Sequence, residues 1–220
     1  MSLDAVVARL LAAVPGRGRV LVAIDGVGAS GKTTFAAALA QRLRPRPVVV
    51  LHADDFFHPP AIRHARGRRS AEGFWLDAYD YDALVARALT PLGPDGSGLY
   101  RPSIGEDEPQ RAPDDALVLV EGTFLHRDEL RRFWDWSIYL DVPFEEATRR
   151  MALRDGERGL MQRYVGAQRI YFATAEPWER ASLVVDNADP DDPRIVDAAT
   201  VGVRAARADL GQASSASYCS

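Results

Sequence analysis

The chain has 220 residues, 47% hydrophobic and 26% charged, a balance that fits a globular fold and excludes disordered and fibrous classes. A formal net charge of −4 argues against bulk binding to a nucleic-acid backbone, and no apolar run approaches the roughly 18 residues of a membrane span. The one cysteine, Cys219, offers no intrachain disulfide and fits a reducing cytoplasm.

Leu3, Val6, Val7, Leu10, Leu11 and Val14 follow a helical stripe, and Asp4 and Arg9 interrupt the apolar run, so the opening segment reads as a helix rather than a secretory leader. Residues 19–25 are apolar, rich in β-branched types and followed by a glycine cluster, the profile of a buried parallel strand. A helix is expected over 33–43, with Phe35, Ala38 and Leu39 on one face and Pro45 as its stop. Residues 48–51 form a second strand that runs into His52-Ala-Asp54-Asp55-Phe56-Phe57. Tyr81, Leu84, Val85, Ala88, Leu89 and Leu92 mark a helix over 80–92. From 91 to about 115 glycine, proline and acids dominate, a long surface excursion.

Further strands are expected at 116–120, closed by Glu121-Gly122, at 136–140 and at 183–185. Helices are expected at 144–154, 160–173 and 193–209, with a frayed polar tail at 211–220. Strands alternating with helices predict an α/β fold: a doubly wound parallel sheet of five strands, one domain over 1–210, with ligands at the carboxyl ends of the strands.

Gly26-Val-Gly28-Ala29-Ser30-Gly31-Lys32-Thr33 matches G-x-x-x-x-G-K-[ST] without a gap, and Thr34 follows. Such a loop curls backbone N–H groups around phosphate oxygens, its lysine reaches the terminal phosphates, and the Thr33 hydroxyl can ligate Mg²⁺. Lys32 is the only lysine among 27 basic residues. The motif predicts nucleoside triphosphate binding.

Phosphoryl transfer needs a carboxylate near the acceptor hydroxyl and an acid on the metal side. Asp54 or Asp55 suits the first role, Glu121 the second, and Asp25, just before the loop, reads as structural. Arg150, Arg154 and Arg158 share a helical face with glycines nearby, the pattern of a mobile lid over 150–160 that closes arginines on a triphosphate. A second basic run, Arg63-His64-Ala-Arg66-Gly-Arg68-Arg69, reads first as a solvated loop and second as a grip for an anionic acceptor. Phe56, Phe57, Phe74, Trp75 and Tyr79 are candidates for stacking on a substrate ring or for core packing, and the four histidines have no metal-ligand spacing.

Taken together, these segments resemble the uridine kinase-like family of P-loop kinases, relatives of phosphoribulokinase and pantothenate kinase. The resemblance runs from about residue 19 to 190. Asp54-Asp-Phe-Phe57 is similar to the family's D-S-F-Y segment, which implies Asp54 as the base, and Val120-Glu-Gly-Thr-Phe124 to its E-G segment. Residues 149–159 resemble its lid, and Gln168 falls at a substrate-side glutamine. A ribose-binding aspartate of uridine kinases falls at Phe74, with Asp77 the nearest substitute; a base-contacting tyrosine is matched by Tyr100, while its histidine partner becomes Gly105.

The resemblance implies a P-loop NTPase fold with a small lid, ATP and Mg²⁺ as cofactors, and a small-molecule hydroxyl acceptor, a nucleoside first. Acceptors of other kinds stay open: a vitamin precursor, a sugar phosphate, a nucleoside monophosphate or an antibiotic. A homo-oligomer also stays open. A regulatory nucleotide-binding module is the non-enzyme alternative, but a GTP switch lacks a lysine for its N-K-x-D loop.

Overall fold

The structure, a computed structural model, describes residues 3–155 and 158–201, with side chains described outside 155–160. Helix α1 (Leu3–Ala13) precedes β1 (Val20–Gly26), α2 (Lys32–Arg42) and β2 (Val48–His52). A 3-10 turn (Ala53–Phe56) and the short helices α3 (Pro60–Arg63) and α4 (Ala71–Asp77) follow. Next come α5 (Tyr81–Leu84), a π segment (Val85–Leu89) and α6 (Thr90–Leu92), then the small hairpin β3 (Leu99–Tyr100) and β4 (Gln110–Arg111). The chain returns through β5 (Leu117–Gly122), β6 (Trp136–Asp141), α7 (Phe144–Asp155), α8 (Arg158–Ala175), α9 (Pro177–Arg180), β7 (Leu183–Asp186) and β8 (Arg194–Val196).

The main sheet has the order β2-β5-β1-β6-β7-β8. Its first five members pair in parallel, and β8 adds antiparallel to β7. Every residue of β1, β5 and β6 is buried, as expected where helices cover both faces. Side chains alternate along β1 with period two. Val20, Val22 and Ile24 join Leu10, Phe35 and Leu39 from α1 and α2. Leu21 and Ala23 join Phe56, Leu89, Phe124 and Tyr171 on the other face. The order reverses between β5, β1 and β6, so the glycine loop after β1 opens at the switch point of the sheet.

The five parallel strands match the sequence reading; the sixth does not. Residues 194–196 pair with β7 where a helix is expected, and helical turns begin only at Ala198. A three-residue edge strand carries too few side chains to show a period. The rest of the expected helix lies outside the described residues. The excursion holds its own hairpin, with Leu99 opposite Arg111. Helix α4 is capped by Ser70, whose Oγ accepts from Gly73 N at 2.9 Å. The stripe on α1 is narrower than its sequence suggests, since Leu10 is 0% and Leu11 47% exposed.

That difference is measurable. Leu10→Ala should cost about 2–5 kcal/mol in chemical denaturation, and Leu11→Ala should stay within about 0.5 kcal/mol of the parent. Equal losses would show that α1 buries a different face.

Candidate active site

The glycine loop joins β1 to α2 by a path that side chains would block. Gly31 has φ +88°, and a Cβ on Gly26 would stand 2.8 Å from Leu140 O, so neither position accepts another residue without displacement. Ser30 N donates to Val27 O at 3.1 Å. Asn187, just past β7, donates its Nδ2 to Ser30 O at 2.7 Å and pins the loop from across the sheet. A Cβ on Gly28 would stand 2.6 Å from Met151 Cε, so α7 packs directly on the loop.

Beside it lies a cavity of about 430 Å³, lined on one side by Gly28, Ala29, Gly31, Lys32, Thr33 and Thr34. Lys32 Nζ folds back on the loop, 3.1 Å from Gly26 O and 2.9 Å from Val27 O. Burial pushes the lysine below its ordinary value, while the charges of Glu121, Asp25 and Asp54 oppose that shift. Thr33 Oγ1 donates to Glu121 Oε1 at 2.8 Å, and His52 Nδ1 stands 2.7 Å from the same oxygen.

Asp54 faces this group across the cavity. It sits on the 3-10 turn, where residues three apart share a side. Ala53 and Phe56 are buried, whereas Asp54 and Phe57 line the cavity. Tyr79 Oη donates to Asp54 Oδ1 at 2.9 Å. Burial, followed by the Asp54 charge, holds the Tyr79 phenol well above its ordinary range, so it stays a donor at physiological pH. Phe57 stacks on Tyr79 with centroids 4.5 Å apart. Phe74, Tyr164 and Gln168 complete the far wall, and Arg150, Met151 and Arg154 from α7 form the roof. Arg150 is tied down by Glu146, at 2.7 Å, and by the carbonyl of Ala188, at 2.6 Å.

No protein-family model matches the chain. Nicotinamide riboside kinase 1 of Mus musculus is 28% identical over 137 residues, 62% of this chain and 67% of that protein. Against the rat and human forms the match spans 66% and 64% of the relative's length. The uridine kinase of Brevibacillus brevis is 23% identical over 180 residues, 76% of this chain and 83% of the relative. The solved structure of a possible uridine kinase from Bacillus stearothermophilus superposes with a TM-score of 0.64 at 28% identity, covering 83% of this chain and 96% of that one. The chain is similar to uridine kinase-like P-loop kinases.

Gly28, Ala29, Gly31, Lys32, Thr33, Thr34, Asp54, Phe57, Glu121, Arg150, Arg154 and Gln168 all line one cavity. Gly26 and Ser30 shape the loop from below. Three residues expected on the acceptor side are held elsewhere. Asp55 does not line the cavity, because the 3-10 turn directs it to a third side. Asp77 ends α4 and pairs with Arg66 Nε at 2.9 Å. Tyr100 belongs to the hairpin, where its hydroxyl donates to Gln110 Oε1 at 3.0 Å. The side chain of Arg158 lies outside the described residues. Sequence reasoning missed Thr123, Met151, Tyr164 and Asn187; Tyr164 stands one helical turn before Gln168, a spacing that could have found it.

The lone lysine makes the loop directly testable. An amine-directed acylating reagent should label Lys32 with a pH midpoint below that of an ordinary lysine. Saturating MgATP should protect Lys32 and leave the α-amino group reactive. An ordinary midpoint, or equal labelling with and without nucleotide, would contradict the placement of the half-buried Lys32 against the loop.

Proposed function

We propose that this kinase transfers the γ-phosphoryl group of ATP to a hydroxyl of a nucleoside-like small molecule in the cytoplasm. The observation that carries the reading is that Asp54 shares one cavity with Lys32 and Thr33. The substrates named for the relatives above, uridine and nicotinamide riboside, support a ribose-bearing acceptor.

In this reading the loop amides and Lys32 hold the triphosphate, with Lys32 leaving the carbonyls of Gly26 and Val27 for phosphate oxygens. A hollow of about 290 Å³ beyond Thr34, walled by Asn187 and Pro190, suits the base of the nucleotide. Thr33 Oγ1 and Glu121 Oε1, 2.8 Å apart at the cavity wall, form the hard oxygen pair that Mg²⁺ prefers. A Mg²⁺ held by these two residues would supply positive charge to the triphosphate.

Asp54 accepts the proton of the acceptor hydroxyl as its oxygen bonds to the γ-phosphorus. The bond from that phosphorus to the bridging oxygen breaks, and the electron pair leaves with ADP. Tyr79, bonded to Oδ1, fixes the carboxylate so that its second oxygen is free for this proton. Arg150 and Arg154 face the transferring group from the roof and offset its charge.

Asp54→Asn should lower kcat at least ~100-fold, the contribution of a positioned base, while ATP affinity persists. Asp55→Asn should stay within a few-fold of the parent. Steady-state kinetics on both variants decides between the two carboxylates, and an active Asp54→Asn enzyme would remove the base. Arg154→Ala should reduce kcat and leave the melting temperature nearly unchanged, because its guanidinium acts in the transition state. A lower melting temperature at full rate would make Arg154 a structural residue.

A further inference from the structure

Asn187, which no sequence motif marks, is a buried amide aimed at the phosphate loop. It follows β7 and is only 2% exposed. Its backbone is fixed by the sheet, since Asn187 N donates to Asp141 O at the end of β6 at 2.8 Å. From there Nδ2 donates to Ser30 O at 2.7 Å, across 157 positions of the chain. The other end of the amide, Oδ1, is buried without a partner. An acceptor left unmade in the interior costs stability, so the side chain is kept for the one bond that it gives to the loop.

That bond falls on the peptide leading into Gly31. Gly31 caps α2 in the left-handed region, with φ +88°. A Cβ there would stand 2.9 Å from Asn187 Nδ2, so the amide fills the room that a side chain at 31 would need. In a trans peptide the carbonyl and the next N–H point in opposite directions. Asn187 lies on the side of the smaller hollow and does not line the main cavity, whereas Gly31 lines both. Drawing the Ser30 carbonyl toward Asn187 therefore turns the Gly31 N–H the other way, toward the cavity beside Lys32 and Thr33. With the peptide turned over, a carbonyl oxygen would face the phosphates and repel them.

We infer that Asn187 is a positioning residue for nucleotide binding: its amide sets the Ser30–Gly31 peptide so that the Gly31 N–H meets a phosphate oxygen of the donor. The inference rests on the reading of the loop as a triphosphate site and adds to it a residue outside the motif. The same segment receives the roof of the cavity, where Arg150 donates to Ala188 O at 2.6 Å. Two consecutive residues past β7 thus hold the loop from one side and the roof arginine from the other. Because Asn187 also walls the smaller hollow, contact with the base of the nucleotide is the competing role.

Tripolyphosphate with Mg²⁺ separates the two roles, since it offers the loop phosphates and no base. Asn187→Leu keeps the bulk and removes the donor. In calorimetric titrations its affinities for tripolyphosphate and for a non-hydrolysable ATP analogue should fall by the same factor. That factor should be at least ~10-fold, the loss of one charge-assisted hydrogen bond to phosphate. Asn187→Ala should give the same pattern, and it decides if circular dichroism shows Asn187→Leu unfolded. With uridine or nicotinamide riboside as acceptor, the KM for ATP should rise while the KM for the acceptor holds.

A fall for the ATP analogue alone would assign Asn187 to the base and overturn the inference. Unchanged affinity for both ligands, or loss of the fold in both variants, would overturn it by making Asn187 a structural residue. Paired losses in a protein that phosphorylates no acceptor uphold the inference and count against the kinase reading. A parent protein that binds neither ligand overturns both.

Discussion

A buried carboxylate joins the phosphate loop to the acceptor wall. Asp25, fully buried at the end of β1, accepts from Gly26 N at 2.6 Å through Oδ1. Its Oδ2 accepts from His126 N at 3.1 Å and from the Tyr171 hydroxyl at 2.5 Å, with His126 Nδ1 at 2.9 Å. A charge with no access to water is tolerated only when its lone pairs are filled in this way. The bonds tie together β1, the loop after β5 and helix α8. Tyr171 stands one turn beyond Gln168 and two beyond Tyr164, so the helix that forms the acceptor wall is registered against the residue that begins the phosphate loop. Donor and acceptor ends of the cavity are thereby held in one frame, which in-line transfer demands.

Above that frame the charges are arranged in opposition. Lys32 is surrounded by Asp25, Asp54 and Glu121, whose fields favour its ammonium, while burial disfavours it. With its hydrogen bonds spent on loop carbonyls, it is a cation stored close to where a triphosphate would draw it. Across the cavity, Tyr79 is kept protonated by burial and so orients Asp54 without competing for its charge. Farther out, Arg163 and Arg63 invert the pattern: cations held against rings, with no acid between them.

Much of this was legible in the chain itself. The five parallel strands were readable because buried strands are contiguous apolar runs, and the helices at 144–154 and 160–173 because their stripes persist over three or more turns. Strand β8 and hairpin β3–β4 were not, since two or three residues carry no period. Helix α4 escaped because it is two turns long, although Ser70 offered a cap. Resemblance pointed to Asp54 and Gln168, which line the cavity, and to Asp77 and Tyr100, which hydrogen-bond with Arg66 and Gln110.

By itself, the sequence determined the phosphate loop, the positions of the parallel strands along the chain and the acids at their ends, because each depends on chemistry written in consecutive residues. Resemblance favoured Asp54 over Asp55, but the physical reason came from the tertiary structure: a 3-10 turn follows β2, and its three-residue repeat sends Asp54 inward with Phe57. The tertiary structure likewise decided that Arg163 and Arg63 converge on the rings of the acceptor wall. Such meetings depend on how α8 crosses the sheet and packs on α4, a distance in space that no local pattern along the chain encodes.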